Sequence, residues 1–111
     1  MKYTTHLFTT KNTCVQIPFF STDSGDKKEE ENVKRMNSFY DELKRSVVGY
    51  SESDNFPKDG RYFAKAQILE SGDSLEIRLT MRLRCGGKTV SSRILSHTWN
   101  DGVILEKRMT E

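Results

Sequence analysis

Leu75-Glu76-Ile77-Arg78-Leu79-Thr80-Met81-Arg82-Leu83-Arg84 sets an apolar side chain at every second position and a polar or charged one between. A period of two sends the two sets to opposite faces of a β-strand, one for a core and one for water. Upstream, Tyr62, Ala64, Ala66 and Ile68 alternate with Lys65 and Gln67 in the same way, and Gly72-Asp73 separates the two segments. A two-residue turn there pairs Ser71 with Ser74, and so sets Ile68 opposite Ile77, Ala66 opposite Leu79 and Ala64 opposite Met81. Both apolar sets then share one face, which a slip of one residue would undo. Downstream, Gly86-Gly87 can adopt the positive φ of a type I′ turn, which sets Leu83 opposite Val90 and Leu79 opposite Ile94. Val103 to Met109 adds a last short strand after Asn100-Asp101-Gly102, so the meander covers residues 61–109.

The apolar face of that meander needs a cover, and the period changes upstream to supply one. Val33, Met36, Phe39, Tyr40, Leu43, Val47 and Tyr50 recur at spacings of three and four, which gathers them on one side of an amphipathic α-helix. Asp26 followed by Glu29 has the spacing of a capping box, and Gly49 is a suitable stop, so the helix is expected over 27–48. Glu30 with Lys34, Glu31 with Arg35 and Asp41 with Arg45 place an acid four residues before a base, worth about 0.2 to 0.5 kcal/mol each. Asn37 lies at the margin of the stripe, where its amide can bond a neighbouring backbone group. Ahead of the helix, residues 2–9 and 12–20 read as short strands, the second interrupted by Pro18. Proline has no N–H for a ladder, so this strand is expected at an edge, or with its regular pairing ended near Ile17. The fold class expected is α+β: one domain, residues 1–111, with one long amphipathic helix on an antiparallel meander sheet of four to six strands.

Composition narrows the function classes without choosing one. The chain of 111 residues is 34% hydrophobic and 31% charged, and its formal charge of +2 is too small to argue for an anionic partner by itself. Met1 to Phe8 alternates polar and apolar residues where a signal peptide needs a continuous apolar run, and no run reaches the roughly 20 residues of a membrane span. As given, the chain reads as cytoplasmic, without membrane insertion, and extracytoplasmic if a leader precedes it. Cys14 and Cys85 stand far apart with no second metal ligand beside either, so neither a metal nor any other cofactor is expected and free thiols are favoured over a disulfide.

Any chemistry has to come from the polar face of the meander. The register above places Lys65, Arg78, Arg82, Arg84 and Arg93 on it, with Glu76 opposite His97. Arginines on a solvated face can hold phosphates or carboxylates, and Phe63 and Trp99 could stack on bases as in single-strand binders. Alternating charge is also what any wet sheet face needs. A carboxylate across from His97 would orient the ring as a general base, but no Ser or Cys nucleophile stands near them, so a cross-strand ion pair is the favoured reading of the two residues. His6 has no assignable role. The residues carry no catalytic constellation, and the chain is read as a non-enzyme.

Val15-Gln16-Ile17-Pro18, then Val33-Lys34-Arg35-Met36-Asn37-Ser38-Phe39-Tyr40, then alternating strands joined by Gly86-Gly87, resemble bacterial domains of unknown function in extracytoplasmic proteins. These include the outer region of a lysozyme-sensing anti-sigma factor and the non-catalytic N-terminal part of certain peptidoglycan deacetylases. The resemblance covers residues 15–102 and implies a helix-on-sheet domain for binding or sensing, with no inherited catalysis. The chain departs from the pattern at Lys88-Thr89, where relatives often carry Ala-His. Lysozyme is basic and would be repelled by Arg78, Arg82 and Arg84, so lysozyme binding does not transfer. The expected function is a non-enzymatic binding or interaction domain of unknown ligand. The alternative is a binder of anionic ligands or nucleic acid through the basic sheet face, using Arg78, Arg82, Arg84, Arg93 and His97. The partner expected is a protein or an anionic ligand, and a homodimer through strands 2–20 is compatible with the pattern.

Overall fold

The computed structural model describes residues 1–110. Its elements run β1 (Lys2–Thr9), β2 (Thr13–Ser21), α1 (Lys27–Ser51), β3 (Gly60–Ser71), β4 (Ser74–Cys85), β5 (Lys88–Asn100) and β6 (Val103–Thr110). All six strands form one sheet in sequence order. Every neighbouring pair is antiparallel except β2 and β3, which run parallel over Thr13–Val15 against Tyr62–Ala64, so the sheet is mixed where an antiparallel one was expected. The cause is the connection: α1 carries the chain back to the start of the sheet, and a strand entered through a crossover helix runs parallel to the one before it.

α1 covers one side of the sheet and leaves the other bare. Val33, Met36, Tyr40 and Val47 are buried against Val15, Ala64, Ala66, Ile77, Leu79, Met81 and Trp99. The β3–β4 register is the one the turn dictates, with Ser71 opposite Ser74 and Ala64 opposite Met81. Asp26 caps α1 by accepting the Lys28 N–H at 3.1 Å. The return arm of a capping box is missing, because Glu29 accepts from the Ser24 hydroxyl and pairs with the Met1 amine at 2.7 Å. α1 passes through Gly49 and ends at Glu52, whose N–H bonds the carbonyls of Val48 and Gly49. Tyr50 packs edge-on against Phe56 and Tyr62, which holds the added turn in place. On the polar side, Asp41 meets Arg45 at 2.9 Å as expected, whereas Arg35 donates to the Gly102 carbonyl at 3.1 Å.

β2 lies inside the sheet, with β1 at the edge. Its pairing with β3 stops at Val15, before Pro18 would have to donate to it, while the β1 ladder continues to Ser21. Freed from β3, the strand rolls. Thr13 and Val15 are buried at its start, Pro18 and Phe20 at its end. Asn37 fixes that rolled end: its Oδ1 accepts the Phe20 N–H at 2.8 Å and its Nδ2 donates to the Phe20 carbonyl at 2.9 Å.

The main departure from expectation lies in β5. Gly86 and Gly87 do form the turn with positive φ, and Cys85 pairs with Lys88 and Arg84 with Thr89. Leu83 then pairs with Ser91, so Val90 is an extra residue, and every later position is displaced by one. Leu79 faces Leu95 where Ile94 was expected, Ile77 faces His97, and Met81 faces Arg93. The energetic reason is Trp99. The bulge turns Leu95, His97 and Trp99 to the helix side, with Trp99 only 3% exposed, and leaves Val90 and Ile94 outside. Covering an indole and a leucine outweighs covering a valine and an isoleucine.

A candidate anion-binding face

The bulge divides the expected basic strip between the two sides of the sheet. Arg78, Arg82 and Arg84 project from the bare side with Lys65, as read from the sequence. Arg93 and His97 do not. Arg93 stands opposite Met81 on the helix side, close enough to Tyr62 for its charge to favour the phenolate, although burial outweighs it and raises the Tyr62 pKa. Glu76 faces Thr98, so the proposed His97–Glu76 pair does not exist.

His97 instead belongs to a buried aromatic cluster. Trp99 Nε1 donates to the Tyr40 hydroxyl at 2.8 Å, and that hydroxyl lies 3.4 Å from His97 Nδ1. The hydroxyl accepts from the indole on one lone pair and keeps its own proton, which it can donate to Nδ1 of a neutral imidazole. Burial, and secondarily the nearby Lys107, lower the His97 pKa. Burial also raises that of Tyr40, against the indole N–H. Phe39 stands edge-on to His97, Tyr40 and Trp99, and Lys107 Nζ lies 5.8 Å from its ring centre. These contacts engage the Trp99 indole N–H, the Tyr40 hydroxyl and His97 Nδ1 with one another inside the core, away from the bare side of the sheet.

The bare side is organised around Phe63. Its ring stands half-buried on β3, opposite Arg82 of β4 and beside Cys14 of β2. One pair along, Arg61 faces Arg84, and in the other direction Lys65 faces Thr80. A shallow depression of about 570 Å³ is walled by Leu7, Gln16, Phe63, Lys65, Arg82 and Arg84. Phe63 and Arg84 also border a second one of about 580 Å³, next to Lys11, Lys58, Arg61 and the Gly86-Gly87 turn. Arg84 is aimed by a 2.7 Å bond to the Gly87 carbonyl, and Arg78 is neutralised by Glu76 at 2.9 Å. Among the described residues, Arg61, Lys65, Arg82 and Arg84 have no carboxylate partner. Asp59 is the one acid among the described residues that borders these two depressions.

Lys11 and Lys58 escape a reading of the meander because they belong to loops outside it. Arg61 shares the parity of Phe63 and Lys65 in β3, so the alternation alone would have placed it on the strip. Cys14 and Cys85 are unbridged, and no group of acids, histidines and cysteines among the described residues could hold a metal. No described helix is long and apolar enough to cross a membrane. No protein-family model, curated protein or solved structure matches the chain.

Proposed function

We propose that this chain is a non-catalytic binding module that holds single-stranded nucleic acid on the bare side of its sheet. The observation that carries the reading is the Phe63 ring bordered by Arg61, Lys65, Arg82 and Arg84, none of which has a carboxylate partner among the described residues. Cations track a phosphate backbone and an aromatic face accepts a base of any identity, which is how sequence-tolerant single-strand binders work. An open, shallow face suits an extended polymer better than a small molecule, which calls for an enclosed pocket. The resemblance to the non-catalytic domains of deacetylases supports the same broad class, binding without chemistry.

The test is fluorescence anisotropy with labelled single-stranded DNA and RNA oligonucleotides across a salt series. Affinity should fall as salt rises, and Arg82→Ala should flatten the log–log slope by about 0.7. Phe63→Ala should weaken binding by about 1 to 3 kcal/mol with the slope unchanged, since stacking releases no counterions. Binding that ignores salt, or is untouched by both substitutions, would remove the proposal.

A further inference from the structure

The two edges of the sheet are defended differently. β6 has three features that discourage pairing with another chain: the unpaired extra residue Leu105, Lys107 directed to the helix side over Phe39, and the consecutive charges Glu106, Lys107 and Arg108. β1 has none of these between Tyr3 and Thr9. It contains no proline, pairs with β2 without a bulge, and has no Lys, Arg, Asp or Glu in that stretch. It is also poorly covered. Only Thr5 is partly buried, and Leu7 is 66% exposed beside exposed Tyr3 and Phe8.

We propose that β1 is a homodimer edge, pairing antiparallel with β1 of a second copy. The occupant follows from charge and parity. Since Tyr3 to Thr9 holds no Lys, Arg, Asp or Glu, a two-fold pairing within that stretch opposes no such like charges, which β6 with its triplet of charged residues cannot offer in every register. In an antiparallel two-fold ladder, residues directly opposite have numbers of the same parity. Even-numbered His6 and Phe8 lie on the helix side, where Phe8 meets Lys44 and His6 stacks on Phe19, and odd-numbered Leu7 lies on the bare side. The exposed apolar groups of one copy therefore meet those of the other on matching faces. Both helices stay on one side of a continuous sheet, and both Phe63-centred faces open on the other. The inference stands whether or not nucleic acid is the ligand.

Sedimentation of the full chain over a wide concentration range, with deuterium uptake at each concentration, tests it. The mass should double as concentration rises, with uptake at residues 2–9 slowing in step. Leu7→Lys should raise the concentration needed for dimers about tenfold or more, equivalent to about 1.4 kcal/mol, and Leu105→Lys should not. A monomer at every concentration would overturn the proposal, as would a dimer lost in Leu105→Lys and kept in Leu7→Lys. If Leu7→Lys does not fold, uptake in the unmodified chain decides: exchange at 2–9 that ignores concentration refutes the β1 edge.

Discussion

Asn37 does for the end of β2 what a neighbouring strand does elsewhere in the sheet. It satisfies both the N–H and the carbonyl of Phe20, at the point where pairing with β3 has already ceased. Asn37→Ala would strand two backbone groups, and leaving such groups unpaired costs about 1 to 3 kcal/mol. Urea denaturation should show a loss of that size, larger than for Ser38→Ala beside it. The amide's position at the margin of the apolar stripe made a backbone bond readable from sequence. Its partner was not, because the roll of β2 after Val15 has no local signal. Gly102 has a tighter requirement. Its φ is +75°, and a Cβ there would lie 2.4 Å from Asn32 Oδ1, so Gly102→Ala should cost at least about 1 to 2 kcal/mol for the left-handed backbone alone. His97 gives a pH dependence. Its folded pKa is lowered by burial, so as pH falls the unfolded chain takes up the proton first and stability declines. The contribution is complete above the ordinary histidine value of about 6.5 and is lost as pH drops below it toward the folded pKa. The urea midpoint should fall over that interval, and His97→Gln should flatten the dependence.

Among the elements, the β3–β4 hairpin was fully legible and β5 was not, for one reason. In β4 a single alternation places every large apolar side chain and the Gly72-Asp73 turn fixes β3 against it, whereas β5 contains two alternations. Val90 and Ile94 belong to one, Leu95, His97 and Trp99 to the other, and the residues nearest the turn favour the wrong one. Weighing the size of the side chains at the far end, rather than counting from the turn, would have shown the bulge. The bulge makes a sharp prediction. Deleting Val90 removes the extra residue and restores a plain ladder with Leu79 still opposite Leu95, so Trp99 should keep its buried emission and the fold should survive. Deleting Ser96 shifts His97 and Trp99 to the bare side, and near-ultraviolet circular dichroism should lose its tertiary signal. The same bulge decides the site: three of the arginines read as a strip remain on it, Arg93 leaves it, and the loop lysines Lys11 and Lys58 join it from outside the meander.

At the scale of the whole molecule, sheet and helix together measure 48 × 24 × 19 Å, with the helix on one side of the sheet. The turn between β5 and β6 is tied to the start of α1 by Lys28 to Asp101 at 2.8 Å, Asn32 to Asp101 at 3.1 Å and Arg35 to Gly102. The opposite flank is attached differently. β1 and β2 are tied to α1 by Asn37 on Phe20 and by Met1 on Glu29, but their strand pairing with the meander is confined to the parallel seam of Thr13–Val15. That narrow seam has a consequence in time. Strands β3 to β6 follow one another through tight turns, so their ladders close over short stretches of chain, whereas the seam must bring residue 13 to residue 62. The N-terminal hairpin should therefore be last to dock when the chain folds and first to detach when it is pulled or warmed.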